Sequence, residues 1–229
     1  MLGPVLYTIF TSDLPCIDGV TVATYADDTA FISSKQSASE ASNLVQQELY
    51  ALQSWLNTWN IKVNEQKSAH VTFTLKRGDC PDVKLNGLTI PKKNNANYLG
   101  ICIDRRLTWK DHVKNKRSQV TLLLCPKSQL SLENKVILYK TILKPVWTYG
   151  IQLWGTTSNS NVEILQRFQS KAIRMIANAP WFVRNDTLHN DLKIPKIKTE
   201  ICNYSNRYLQ RLSDHINPLA ISLLLDLPF

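Results

Sequence analysis

Val20-Thr21-Val22-Ala23-Thr24-Tyr25-Ala26-Asp27-Asp28-Thr29-Ala30-Phe31-Ile32-Ser33 is the stretch on which the reading of this chain turns. On either side of the two aspartates the residues alternate and are rich in β-branched types, as half-buried strands are. Residues 20–26 and 29–33 are therefore expected strands. The Asp27-Asp28 pair between them predicts a tight hairpin with both carboxylates at its tip. Turns use Asp for its short, locally bonding side chain, so the pair reads either as two turn residues or as a carboxylate site.

Upstream, residues 4–14 read as one helix, with Val5, Leu6, Ile9 and Phe10 on a common apolar side. Downstream, Ser37 and Glu40 form a capping-box pattern. Ala41, Leu44, Val45, Leu49, Leu52, Leu56 and Trp59 then recur at helical spacing, the strongest periodic segment in the chain. Strands are expected over 69–75, then over 83–85 and 88–90 around Asn86-Gly87, a specific type I′ hairpin signal. Residues 98–103 read as one more buried strand. From Thr108 the strand signals stop, and helical patterns run over 108–124, 132–153, 160–178 and 196–214, separated by Pro126, Ser158 and Pro180. Pro145 should kink or divide the second of these. The expected architecture is α+β: residues 1–106 mix antiparallel strands with packed helices, and residues 107–229 are all helical.

Charge follows the same division. Residues 1–60 hold one base, Lys35, against six acids, whereas residues 61–229 hold 26 bases against 12 acids. An acidic start followed by a long basic body points to a polyanion partner with an embedded carboxylate site, or to a surface kept soluble by lysine and arginine. Cys16, Cys80, Cys102, Cys125 and Cys202 lie far apart without a C-x-x-C pair, which argues against a disulfide framework or a structural zinc site. The four histidines are equally scattered. The opening has no basic leader pattern, and the longest apolar candidate, 136–154, is interrupted by Lys140, Lys144 and Pro145. An intracellular protein, nuclear or cytoplasmic and not secreted, is expected.

Several motifs occur in order along the chain. Leu2-Gly3-Pro4-Val5-Leu6-Tyr7 precedes the Tyr25-Ala26-Asp27-Asp28-Thr29-Ala30 hairpin. Trp55-Leu56, Ile61-Lys62-Val63-Asn64, Lys67-Ser68 and Tyr98-Leu99-Gly100 follow it. Leu107-Thr108-Trp109, Leu143-Lys144-Pro145, Tyr149-Gly150, Leu153-Trp154-Gly155 and Ala179-Pro180-Trp181 complete the series. In these motifs the chain resembles the reverse transcriptases of jockey-type non-LTR retrotransposons over nearly its whole length. The resemblance implies a partial polymerase palm over 1–106, followed by a helical thumb and post-thumb region over 107–229. It implies that Asp27 and Asp28 hold Mg²⁺ in a two-metal nucleotidyl transfer, with an RNA template, a DNA primer and deoxynucleoside triphosphates as partners. Lys67 falls where the family places a cation near the departing pyrophosphate, and reads otherwise as a solvated loop lysine. Tyr98, Leu99 and Gly100 match the segment that grips the primer end.

The departures from the family are as informative. The family's further carboxylate, on an earlier palm strand, has no counterpart in residues 1–229, and neither do the fingers. Asp13 and Asp104 are the available substitutes, and nothing in their spacing supports either. Between Lys116 and Leu130 the thumb looks shortened. The expectation is a chain that does not polymerise alone. Its helices carry Lys110, Lys114, Lys116 and Arg117 on one segment and Arg167, Lys171 and Arg174 on another. These read as a surface that tracks a nucleic-acid backbone, or as solvated helix faces. Trp147, Trp154 and Trp181 could stack bases, though their apolar neighbours favour core packing. Three readings stay open: a fragment of an RNA-directed DNA polymerase, a nucleic-acid-binding remnant without chemistry, and an unstable pseudogene product.

Overall fold

The structure is a computed structural model that describes residues 2–76, 78, 80–122 and 130–224. It divides into two compact units, Met1–Leu107 and Thr108–Phe229. Among the described residues no helix is long and apolar enough to cross a membrane.

The first unit is mixed α+β. Helix α1 (Gly3–Phe10) leads to a hairpin of β1 (Thr21–Tyr25) and β2 (Asp28–Ile32), then to the long α2 (Ala38–Thr58). Two further hairpins follow: β3 (Lys84–Leu85) with β4 (Leu88–Thr89), and β5 (Asn95–Tyr98) with β6 (Ile101–Asp104). All three pairs are antiparallel, and among the described residues no ladder joins one pair to another.

Helix α2 organises this unit. Ser37 caps it by accepting the Ser39 N–H at 3.2 Å. Leu49, Leu52 and Leu56, three and four residues apart, bury one stripe against Val83, Leu85 and Ile90. The amide of Gln46 clamps β3 by bonding both the N–H and the C=O of Lys84, at 2.7 and 2.9 Å. At the other end of α2, the Asp13 carboxylate accepts from the Trp55 and Trp59 indoles at 3.0 and 3.3 Å. Phe10 packs edge-on against both rings.

Three expectations need correction here. The first helix ends at Phe10 rather than at residue 14, because the chain turns there to bring Asp13 onto the two indoles. Residues 69–75 are not a strand. His70 bonds the backbone of Pro91 and Lys93, but Thr74 bonds Arg105, so the partner changes within four residues and no continuous ladder forms. Residues 98–103 are not one strand but a hairpin that reverses at Leu99-Gly100, with φ of 47° and 75°. The Asn86-Gly87 turn is as expected, both residues having positive φ, 51° and 77°.

Among its described residues the second unit is all helical: α3 (Lys110–Leu122), α4 (Leu132–Leu138), α5 (Lys144–Thr148), α6 (Ile151–Trp154), α7 (Asn159–Ile176), α8 (Asn185–Asp191), α9 (Ile197–Ser213) and α10 (Pro218–Ser222). A π-helical turn, Tyr139–Leu143, joins α4 to α5. Pro145 does not divide the rod. The chain widens into the π turn just ahead of it, with the Lys144 N–H reaching Tyr139 O, and the proline sits in the first turn of α5, where its missing N–H is tolerated. The break comes later, at Tyr149 and the left-handed Gly150. The shortened connection around Pro126 lies outside the described residues.

The core of this unit gathers Tyr139, Leu143, Trp147, Ile151 and Trp154 with Leu165, Phe168, Ala172, Ile173 and Ile176 of α7. Close approach makes one glycine obligatory: a Cβ on Gly155 would lie 2.5 Å from Ile151 O and 2.9 Å from the Ile201 side chain. Lys144 reaches across to the buried Glu200 of α9 at 2.5 Å. Burial pushes the Tyr139 phenol up to about 12, and the phenol oxygen accepts from Gln169 at 2.9 Å.

Candidate active site and nucleic-acid interface

The carboxylate hairpin forms one residue out of step with the sequence expectation. Tyr25 pairs with Asp28, so the two-residue tip is Ala26-Asp27 and Asp28 is already the first residue of β2. Ala26 makes the turn at φ 50°. Side chains alternate along β2, so Asp28 shares a face with Ala30 and Ile32, opposite Phe31, which packs on the α2 core. Both carboxylates are exposed. The Tyr7 hydroxyl of α1 donates to the Ala26 carbonyl and so fixes the tip from outside the hairpin. Reading by element missed this role for Tyr7, although the residue lies in the first motif.

Lys67 lies in a turn after α2, where the Asn64 side chain accepts its N–H at 3.0 Å. The same turn is tied to the β3–β4 reversal by Asn86, which donates to Glu65 at 2.7 Å and holds that carboxyl below its ordinary range. Tyr98, Leu99 and Gly100 form the tip of the β5–β6 hairpin. No ion pair joins Lys67 to Asp27 or Asp28 among the described residues. Asp13 is occupied by the two indoles, and Asp104 closes β6 opposite Asn95. No group of three acidic, histidine or cysteine side chains suited to a metal ion occurs among the described residues.

The basic residues of the second unit separate into two kinds. Lys110, Lys114 and Arg117 are exposed on α3, and Arg167 and Lys171 on α7. Lys116 is buried, its ammonium 5.2 Å from the centre of the Tyr149 ring and its pKa lowered by burial. Arg174 turns onto the following loop, donating to Pro180 O, Val183 O and Asn185 Oδ1 at 2.5, 2.7 and 2.8 Å. Lys116 and Arg174 are thus held by contacts within the unit. The tryptophans separate as well: Trp147 and Trp154 are core residues, whereas Trp181 is 88 % exposed.

Sequence reasoning also missed a polar network on α7. Gln166 donates to His189 Nε2 at 3.2 Å, while His189 Nδ1 donates to Ile194 O at 2.7 Å. Gln166 Oε1 accepts the Ile197 N–H at 2.9 Å, and Gln169 donates to Pro195 O. This network pins the start of α9 and borders an open groove of about 370 Å³ whose charged lining is mixed, Glu163 and Asp186 against Lys196 and Lys198. No apolar or periodic signal marks it.

Residues 1–103, which hold the carboxylate hairpin and the two hairpins after it, match the reverse transcriptase (RNA-dependent DNA polymerase) family. Over 97 % of its length the chain is 39 % identical to the RNA-directed DNA polymerase from mobile element jockey of Drosophila melanogaster, of which it spans 26 %. It is 40 % identical, again over 97 % of the chain and 26 % of the relative, to the probable RNA-directed DNA polymerase from transposon X-element of that species. With the probable RNA-directed DNA polymerase from transposon BS the figures are 37 %, 98 % and 27 %. The chain thus spans about a quarter of the length of the curated relatives it matches. No solved structure matches it.

Proposed function

We propose that this chain is the later part of the palm, together with the thumb and post-thumb helices, of an RNA-directed DNA polymerase from a mobile element. On this reading residues 1–106 are the partial palm and 107–229 the thumb region. Asp27 and Asp28 are metal ligands, Lys67 is the cation near pyrophosphate, and the tip of the β5–β6 hairpin meets the primer end. Exposed Lys110, Lys114, Arg117, Arg167 and Lys171 follow the backbone of the template–primer duplex. The observation that carries the reading is the Tyr25-Ala26-Asp27-Asp28 hairpin, which offers two exposed carboxylates at a fixed tip within the segment that matches the family.

A two-metal centre holds its ions about 4 Å apart and needs hard oxygen ligands on both. Two neighbouring aspartates, one in a turn and one on a strand, do not supply that set, and the described residues add no third carboxylate beside them. The donor set does not fit two Mg²⁺ ions, so no chemical step is assigned to this chain alone. Its partners in a complete enzyme would be an RNA template, a DNA primer and deoxynucleoside triphosphates.

The test is Mg²⁺-dependent primer extension on an RNA template by the purified chain, beside Asp27→Ala. No extension from a chain that melts cooperatively is expected. Extension that disappears in Asp27→Ala would overturn the incomplete-site argument. One observation favours a second reading, a nucleic-acid-binding chain without chemistry: residues 108–229 hold 17 bases against 8 acids, while residues 1–107 hold 10 of each. The whole net charge of +9 therefore lies in the helical unit.

A further inference from the structure

Between α7 and α8 the loop presents two adjacent aromatic rings to solvent. Trp181 is 88 % and Phe182 68 % exposed, the rings standing edge to face with centroids 6.0 Å apart. Exposed aromatics on a floppy loop would be unremarkable. This loop is held by the Arg174 guanidinium at Pro180 O and Val183 O, on either side of the two rings, and Asn185 at the start of α8 is a third acceptor. The rings are therefore displayed in a set geometry rather than left over from packing.

Their surroundings are cationic. Arg167 and Lys171 are four residues apart on α7, about 6 Å along the helix, and form an exposed strip whose C-terminal end is this loop. Arg184, two residues after Phe182, is exposed. The nearest acid in sequence, Asp186, is paired with Lys196 at 2.7 Å. Flat rings at the end of a cationic strip are what an unpaired nucleotide strand requires: phosphates along the charges, a base on an aromatic face. A purely apolar partner would leave the cations without a role, and two rings alone are far smaller than a stable protein–protein interface.

We propose that Trp181 and Phe182 form a stacking tip for unpaired bases of a single-stranded nucleic acid whose backbone follows Arg167 and Lys171. The proposal rests on the nucleic-acid reading above and adds to it the strandedness of the ligand and the residues that sense it.

Fluorescence anisotropy of the full chain with a labelled oligouridylate and with a blunt RNA duplex of equal length tests it. Trp181→Ala combined with Phe182→Ala should weaken oligouridylate binding roughly tenfold to a hundredfold and leave duplex binding nearly unchanged. Trp181→Phe should restore most of the loss. Both rings are exposed, so the thermal melt of the variants should match that of the parent chain; Trp181→Ser alone is the second variant should the double substitution lower it. Oligouridylate binding unchanged in the variants overturns the tip while leaving the nucleic-acid reading standing. Equal losses on both ligands overturn it too, since stacked duplex bases offer no free face. If the parent chain binds neither ligand at low salt, the nucleic-acid reading itself fails and the tip with it.

Discussion

Acidification from about pH 7 to about pH 4 should weaken the helical unit through a single side chain, His112 on α3. The ring is 1 % exposed and lies between Trp109 and Trp154, with centroids 6.4 and 6.3 Å away. Burial, aided by the charge of Lys116 one turn on, lowers its pKa from 6.5 to about 4. The folded-state value is the depressed one, so the unfolded chain binds the proton more readily. The stability that His112 permits is thus intact above its unfolded pKa and is lost as the pH falls towards the folded one. Proton linkage between those two values gives a loss of about 1 kcal/mol at pH 5.5 and about 3 kcal/mol at pH 4. That is a large share of the roughly 5–15 kcal/mol that holds a domain together. The assay is urea unfolding followed by tryptophan emission at a series of pH values, for the parent chain and for His112→Leu. A constant offset between the two proteins carries no information; the slope with pH does. The parent should weaken between about pH 6.5 and 4, and the variant should stay nearly flat over that range apart from carboxylate titration. Parallel slopes would refute the argument, because the lost protons would then belong to other groups.

Two packing predictions accompany it. Gly155→Ala places a methyl group 2.5 Å from a backbone carbonyl that has little room to move and should cost about 1–3 kcal/mol in a urea melt. Glu200→Ala strands Lys144 in a largely buried site and should cost about 3 kcal/mol, while Glu200→Leu combined with Lys144→Met should recover most of it. Little change in the first would mean that α6 shifts away from Ile201. A double variant as weak as Glu200→Ala would mean that the ion pair is not the source of the loss.

How much of this was legible in the sequence depended on the range of the interactions concerned. The α2 stripe and the Asn86-Gly87 turn are written locally, in a 3.6-residue period and in a dipeptide that tolerates positive φ, and both are found where the pattern puts them. The aspartate hairpin was legible as a hairpin but misplaced by one residue. Composition marks Asp-Asp as the turn, yet the register places Ala26, a poor left-handed residue, at the tip, where Tyr7 holds its carbonyl. Leu99 hides its turn for the same reason, since a leucine at φ 47° inside an apolar run looks like continuous strand. Lys116 and Arg174 sit at surface-like helical spacing, but a neighbouring ring for one and three acceptors on the loop and the start of α8 for the other decide where their charges lie. No local pattern distinguishes Trp147 and Trp154, buried in the core, from Trp181, lifted clear of it.

The three separate hairpins have a consequence for how the first unit assembles. Each reverses through two residues, so each strand meets its partner within a loop that closes almost at once, and pairs of this kind form in roughly 1–10 μs. None must wait for a distant segment of chain. The slower events are long-range: the docking of α2 on β3 and β4 across residues 59–83, and that of Phe10 and Asp13 on Trp55 and Trp59, and the rate of folding should be set there. Substitutions at Leu52 or Val83 would then slow folding, whereas changes at the Asp27 tip would chiefly alter how fast the finished unit comes apart.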